Sequence, residues 1–244
     1  MPRLQAGVDL LLVPILVFGF MVLILMSPVG WYLAKWLSFV GIFWTNLVTG
    51  PFSIAVVAVF VRHRRQSFEA VGLQRVPLLR VLGATAIAIP ANWIAVLTCG
   101  LLYMVISGVG VTGMAEERAE FFEVVPEFNP VVAILTALFV GVHEELLFRG
   151  FILARLQSLF RSNIWAIIVS AVIFGLLHAY QGPIGVVQTT AVGLVLATIV
   201  TRTRSLWPAI LAHAFVDIVA FIAIPLLQDM IPELLEQATT APAM

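Results

Sequence analysis

Seven stretches of about twenty apolar residues divide this chain, and each is long enough to cross the hydrocarbon core of a bilayer as a helix. They lie at about 8–27, 36–62, 79–107, 130–157, 162–179, 183–201 and 206–228. Charged residues make up only 11% of the sequence, whereas a soluble domain carries roughly 25%. The sequence therefore predicts an all-α fold: a polytopic transmembrane helical bundle of about seven, or eight, spans with a buried polar cavity.

The whole chain, residues 1–244, is predicted to form a single integral membrane domain, because no internal repeat, low-complexity tract or linker divides it. The first apolar run is longer than the core of a signal peptide, which indicates a retained helix. Pro51 interrupts the second span and predicts a kink or a break there. Cys99 is the single cysteine, so neither an intrachain disulfide nor a cysteine metal cluster is expected.

Basic and acidic residues of the loops fall into two separate groups. The arginines lie between spans two and three, four and five, and six and seven: Arg62, Arg64, Arg65, Arg75, Arg80, Arg155, Arg161, Arg202 and Arg204. The acidic residues lie between spans three and four and in the tail: Glu116, Glu117, Glu120, Glu123, Glu127, Asp229, Glu233 and Glu236.

The positive-inside rule places the arginine loops in the cytosol. We therefore expect a protein of the cell membrane with a cytosolic N-terminus and an extracytoplasmic C-terminus. Thirteen basic and thirteen acidic residues cancel, so the lipid bilayer is an expected partner and nucleic acid is not.

Ionisable residues cluster inside three of the predicted spans. Span four contains Glu144, Glu145 and Arg149, span five contains His178, and span seven contains His213 and Asp217. An ionisable group inside a membrane costs roughly 2.5–3.5 kcal/mol on insertion scales. Such a cluster predicts a functional site.

Residues four apart share one face of a helix, which pairs Glu145 with Arg149 and His213 with Asp217. Glu144 must then point about 100° away from Glu145. We expect Glu145 and Arg149 to form a structural ion pair, while Glu144 faces the interior. A carboxylate close to another in a low dielectric is a suitable acceptor for a proton from water.

Simpler explanations exist for each residue taken singly. His178 could be an interior histidine that hydrogen-bonds locally, and His213 with Asp217 could be a hydrogen-bonded pair between helices. Phe174 is expected to serve packing. His143 is expected to point away from the site, because it is adjacent to Glu144.

The three segments together resemble the CPBP family, which comprises CAAX proteases, including the Ras-converting CAAX endopeptidase, and the Abi proteins. The family pattern is Glu-Glu-x-x-x-Arg, then Phe-x-x-x-His, then His-x-x-x-Asn or Asp. The matching segments here are Glu144-Glu145-Leu-Leu-Phe-Arg149, Phe174-Gly-Leu-Leu-His178 and His213-Ala-Phe-Val-Asp217. The resemblance covers about residues 130–220, the expected catalytic core.

The resemblance implies an intramembrane endopeptidase in which Glu144 and His178 activate a water molecule, while His213 and its partner stabilise the oxyanion. Its substrate would be a membrane protein, or a lipidated or membrane-proximal peptide. An ionised Asp217 would repel an oxyanion that an asparagine amide would stabilise. Asp217 could instead orient His213, or ligate a divalent metal such as zinc together with Glu144, His178 and His213. Both a metalloprotease and a metal-independent glutamate protease stay open.

Two other classes of function remain alternatives. Buried acids and histidines also form proton relays in ion-coupled transporters, and an immunity-type membrane protein could keep the motifs without catalysis. Other intramembrane protease motifs, namely His-Glu-x-x-His, Gly-x-Gly-Asp and Gly-x-Ser-Gly, do not occur in the sequence.

The predicted span boundaries leave one difficulty. Glu144 falls near the middle of the membrane, His213 nearer the cytosolic end of its span and His178 nearer the outer end. Tilted or re-entrant helices, or a shifted boundary of span five, are required to bring the three together.

Overall fold

The computed structural model describes residues 1–111, 113–114, 116–117, 125–126 and 128–240, with the backbone alone for residues 39, 41, 42 and 224–240. Helices are the regular elements throughout this part of the chain, and it contains no strand. The expected all-α architecture is confirmed. Eight helices occur in the described residues: α1 Arg3–Leu25, α2 Pro28–Trp36, α3 Trp44–His63, α4 Leu78–Ser107, α5 Pro130–Phe160, α6 Asn163–Leu176, α7 Gly182–Thr203 and α8 Trp207–Thr240.

Each of the seven predicted spans corresponds to one of these helices. Within the described residues, α1, α3, α4, α5 and the segment Ala179–Thr203 are long and apolar enough to cross a membrane. Two further apolar helices are shorter, Asn163–Leu176 and Trp207–Ala223. The chain is therefore an integral membrane protein. Helix α2, with nine residues, is the additional element that the sequence left open.

The second predicted span differs from expectation in where it is interrupted. Helix α3 continues through Pro51, and the interruption lies earlier, in the 3-10 turn Ser38–Phe43 that separates α2 from α3. A proline is tolerated inside a transmembrane helix because neighbouring helices and local adjustments satisfy the freed backbone groups.

Part of the predicted acidic face lies outside the described residues. These are Glu120, Glu123 and Glu127 of the connection after α4, and the side chains of Asp229, Glu233 and Glu236 in the tail.

Helices α6 and α7 pack closely through small residues. A Cβ atom added at Gly175 would meet the hydroxyl of Thr190 and lie 2.8 Å from the backbone oxygen of Val186. At Gly193 it would lie 3.1 Å from the Cα and Cβ of Ala171. Small residues allow transmembrane helices to approach in this way, and here they place the end of α6 against α7.

A buried ionic cluster joins α1, α3 and α5 at the end of the bundle that carries the arginine loops. Asp9 is fully buried and accepts hydrogen bonds from Arg64, at 2.7 Å, and from Arg155, at 3.4 Å. Arg155 also donates to Gln66 at 2.8 Å and lies 3.9 Å from the centre of the Phe151 ring. The sequence analysis missed Asp9, although it is an acid within the first span.

The contact at Gly175 gives a test of the α6–α7 interface. Gly175→Ala is expected to lower the unfolding free energy by about 1–3 kcal/mol, because the added methyl group overpacks the interface. The matched control is Gly83→Ala, since a Cβ at this helical position meets no atom within 4 Å. Thermal unfolding in detergent, followed by tryptophan fluorescence, should show a lower midpoint for Gly175→Ala than for wild type. The midpoint of Gly83→Ala should not fall. Equal midpoints would contradict the close approach.

Candidate active site

The two adjacent carboxylates lie where α5 changes its helical geometry. The helix is an α-helix over Pro130–Glu145, a π-helix over Leu146–Ile152 and an α-helix again over Leu153–Phe160. Short π-helical segments occur frequently at functional sites. The spacing of apolar residues did not predict this change, because every residue of the π-helical segment is buried and no polar face marks its period.

Glu145 is fully buried and its Oε1 has two donors. Arg149 Nη1 donates to this oxygen at 2.6 Å, and His213 Nδ1 donates to it at 2.8 Å. The guanidinium of Arg149 also lies 4.1 Å from the centre of the Phe174 ring. The predicted Glu145–Arg149 pair is confirmed, and it extends to His213, so that Glu145 joins α5 to α8.

Glu144 is placed differently from its neighbour. Its side chain is 15% exposed, and its Oε2 lies 3.9 Å from Nε2 of His213. Among the described residues, Oε2 has no hydrogen-bond partner. Buried polar atoms without a partner are uncommon and call for an explanation. Oε2 of Glu145 also has no partner among the described residues, but Glu144 is the carboxylate of the two that lines a cavity.

His178 follows directly after the end of α6. Its Nδ1 lies 2.8 Å from the backbone oxygen of Phe174, and a carbonyl oxygen can only accept, so Nδ1 carries the proton of this bond. The neutral imidazole then has its lone pair at Nε2. The ring packs on Phe174, with 4.6 Å between ring centres, as the spacing of four residues predicted.

His213 and Asp217 share one face of α8, as expected. The distance between His213 Nε2 and Asp217 Oδ2 is 3.6 Å. Because the Glu145 carboxylate accepts from Nδ1, His213 directs its other nitrogen toward Asp217 and Glu144.

The expected difficulty of depth is resolved by two helix ends that lie inside the bundle. Helix α6 has 14 residues and is about 21 Å long, short of the roughly 30 Å hydrocarbon core, so His178 lies within the membrane. Helix α8 begins after Leu206, which is fully buried and whose backbone nitrogen donates to the Gly72 oxygen. His213 therefore meets Glu144 at one level.

Two cavities flank this site in the described part of the chain. The first, of about 310 Å³ and here called the Glu144 cavity, is lined by Val17, Phe18, Met21, Leu25, Phe43, Thr45, Asn46, Thr49, Ser53, His143, Glu144, Leu147, Phe148, Leu177, His178 and Tyr180. The second, of about 220 Å³ and here called the His213 cavity, contains His213, Asp217, Gln181 and Gln188. His178 and Phe43 line both cavities.

His143 corrects the expectation that it points away. It lies on the wall of the Glu144 cavity, with its ring 5.4 Å from that of Phe139. The absent side chain of Gly50 makes room for it, since a Cβ there would lie 2.9 Å from His143 Cδ2. His143 and Glu144 point about 100° apart around the helix, and both side chains nevertheless line the same cavity.

Two further residues of the site were missed. Tyr180 lines the Glu144 cavity and Gln181 lines the His213 cavity, and both lie in the 3-10 turn Ala179–Gln181 after His178. Their position two and three residues after a histidine at the end of a short span was the available signal.

Glu144, His178, His213 and Asp217 were predicted as possible ligands of a divalent metal, and a metal site at these residues stays a prediction. Among the described residues, no three His, Cys, Asp or Glu side chains are placed to hold a metal ion. His213 Nε2 lies 3.9 Å from Glu144 Oε2 and 3.6 Å from Asp217 Oδ2, whereas two donor atoms bound to one tetrahedral zinc ion at about 2 Å lie roughly 3.3 Å apart.

The pairing of Glu145 gives a prediction about stability. Glu145→Gln leaves the guanidinium of Arg149 buried without a counter-charge, and removing one partner of a buried pair costs about 3–5 kcal/mol. We expect a markedly lower midpoint of thermal unfolding for this variant. Glu145→Leu combined with Arg149→Met should recover much of the loss, because both charges are then removed. An unchanged midpoint for Glu145→Gln alone would contradict the assignment.

Comparison with known proteins bears on the same segment. Residues 126–219 match the family model described as Type II CAAX prenyl endopeptidase Rce1-like. No match was found among curated proteins or among solved structures. The matched range contains all three motifs, from Glu144 to Asp217. The match confirms, over residues 126–219, the resemblance to the CAAX proteases that the motifs predicted.

Proposed function

We propose that this protein is an intramembrane endopeptidase that hydrolyses a peptide bond of a membrane-anchored or membrane-proximal protein. The observation that carries the proposal is the division between the two adjacent carboxylates. Glu145 is fully buried and its Oε1 accepts from Arg149 and His213, whereas Glu144 makes no such pair, is 15% exposed and lines a cavity. Oε2 of each carboxylate has no hydrogen-bond partner among the described residues, so the difference lies in access to the cavity.

The proposed reaction begins with a water molecule between Glu144 and His178. Glu144 removes one proton, and the lone pair at Nε2 of His178 accepts a hydrogen bond from the other. The oxygen of the water then attacks the carbonyl carbon, and the carbonyl π electrons move to its oxygen. Glu144 next delivers its proton to the amide nitrogen as the carbon–nitrogen bond breaks, which makes it general base and then general acid.

His213 is proposed to stabilise the oxyanion. Its Nδ1 is held by Glu145, so the imidazolium form presents a proton at Nε2 to the developing charge. A donor aimed at such a charge in a site with little water is worth roughly 2.7–4 kcal/mol. Asp217, 3.6 Å from Nε2, is suited to orient the ring and to stabilise its positive form, whereas an ionised carboxylate cannot itself donate to an oxyanion.

Arg149 is proposed to act on this reaction indirectly, through residues that contact His213. Its guanidinium contacts Glu145 and Phe174, and both of these residues contact His213. We infer that Arg149 is a positioning residue rather than a catalytic one.

The alternative functions have less support. The matching family model is described as an endopeptidase, and no observation on the site favours solute transport or an immunity role without catalysis. Solute flux that Glu144→Gln abolishes, with no peptide cleaved, would favour the transporter.

The test of the proposal is peptide cleavage by the purified protein. Glu144→Gln keeps the size of the side chain but cannot take a proton, and loss of a general base lowers the rate by about 10²–10⁴-fold. The cleavage rates of wild type and Glu144→Gln, measured in detergent with a fluorogenic peptide library, should differ by this factor. The matched control is Glu69→Gln, an exposed carboxylate at the other end of the bundle, which should keep wild-type activity. Equal cleavage by wild type and Glu144→Gln would contradict the proposal.

The same assay distinguishes a glutamate protease from a metalloprotease. We propose the metal-independent form, because Glu144 and His178 can activate water without a metal. Cleavage should therefore survive 1,10-phenanthroline. Inhibition by phenanthroline that added zinc reverses would show instead that Glu144, His178, His213 and Asp217 rearrange around a metal ion.

A further inference from the structure

The two ends of the bundle differ in how they are packed. The basic end is defined here as the end that carries the loops with Arg62, Arg64, Arg65, Arg161, Arg202 and Arg204, where α1, α4, α6 and α8 begin and α3, α5 and α7 end. At the opposite end α1 and α6 end, and α3, α5 and α7 begin.

The basic end is closed beneath the catalytic residues. Seven apolar residues of α5 belong to the main hydrophobic core and are at most 7% exposed: Leu146, Leu147, Phe148, Phe151, Ile152, Leu153 and Leu156. The Asp9 cluster fastens α1 and α3 to this core. Phe174 and the fully buried side chain of Arg149 lie directly below Glu145.

A polar recess of about 420 Å³ does exist at the basic end, and its described lining includes Glu69, Gln74, Gln157 and Arg204. None of Glu144, Glu145, His178, His213 and Asp217 is among the described residues that line it. Arg149 borders the recess, but its side chain is buried. The buried side chain of Arg149, which pairs with Glu145, therefore lies between the recess and the other site residues.

The opposite end contains a smaller cluster of buried apolar residues, Val40, Phe43, Val125, Ala133, Ala137 and Phe221, and beside it lies the Glu144 cavity. The Glu144 cavity is lined by the second half of α1, from Val17 to Leu25, and by the first half of α3, from Thr45 to Ser53. The α3 residues in the lining are Thr45, Asn46, Thr49 and Ser53, whose spacing places them on one helix face. The α1 residues that face them are apolar. The cavity thus has a polar wall suited to a peptide backbone and an apolar wall suited to side chains.

The mouth of this cavity lies at the level of the membrane surface. Its outermost members, Leu25 and Phe43, come directly before and after the segment that contains α2. Helix α2 exposes Trp31 (71%) and Trp36 (68%). Exposed tryptophans are typical of the boundary between membrane and water.

We infer that the substrate enters from the end opposite the arginine loops, through the Glu144 cavity between α1 and α3. Because arginine-rich loops face the cytosol, the substrate is an extracytoplasmic segment of a membrane-anchored protein, close to the membrane surface, rather than a cytosolic peptide. The identity of the occupant as a substrate rests on the proposed protease function. The face from which the cavity is accessible does not depend on catalysis.

Thiol labelling tests which face opens. Cys99→Ser removes the only cysteine, and single cysteines are then introduced as Asn46→Cys in the Glu144 cavity and Gln74→Cys in the basic-end recess. Right-side-out and inside-out membrane vesicles from a bacterium that expresses the full chain are treated with a membrane-impermeant maleimide. Leu25→Cys at the cavity mouth serves if Asn46→Cys does not fold.

The expected result is that Asn46→Cys is labelled in right-side-out vesicles and loses labelling in inside-out vesicles, with the reverse for Gln74→Cys. If both positions are labelled from the same face, or if neither Asn46→Cys nor Leu25→Cys is labelled, the Glu144 cavity does not open at the end opposite the arginine loops. If Asn46→Cys is labelled only in inside-out vesicles and Gln74→Cys only in right-side-out vesicles, the cavity opens to the cytosol and the substrate is not extracytoplasmic. Adding Glu144→Gln should leave the pattern unchanged, so a protein that cleaves nothing still gives a decisive result.

Discussion

The shared oxygen of Glu145 is the interaction on which the site depends. A charge inside a membrane protein is tolerated when it is paired and hydrogen-bonded, and Glu145 Oε1 accepts from Arg149 within α5 and from His213 on α8. This bond orients the imidazole of His213, brings α8 to α5 and neutralises Arg149. The neighbouring Glu144 is left to face the cavity, and the proposed chemistry follows from that difference.

The fold separates packing from function along the membrane normal. The larger hydrophobic cluster and the Asp9 cluster lie toward the basic end, while a smaller apolar cluster that includes Phe43 and Phe221 and the cavities that contain the site residues lie toward the other end. A protease in a membrane must admit water without admitting it everywhere. The proposed entry through the Glu144 cavity would admit water from one end only, and the short helix α6 ends two residues before His178, which lines that cavity.

Much of this arrangement could be predicted from the sequence, because it depends on local spacing. The apolar stretches gave the helices, and separations of four residues gave the contacts of Glu145 with Arg149 and His213 with Asp217. Other features depend on tertiary contacts. The π-helical segment of α5 lies wholly within buried residues, the space around His143 comes from Gly50 on another helix, and Asp9 is paired by arginines 55 and 146 residues away.

The central claim is that Glu144 is retained for chemistry and Glu145 for structure. The most direct measurement is the midpoint of thermal unfolding of Glu144→Gln, recorded beside wild type and Glu145→Gln in one detergent. A carboxylate held near other acids without a full set of partners costs stability, so the neutral amide should leave the midpoint of Glu144→Gln equal to that of wild type or higher. A fall as large as that of Glu145→Gln would show that Glu144 is also a structural residue and would contradict the account.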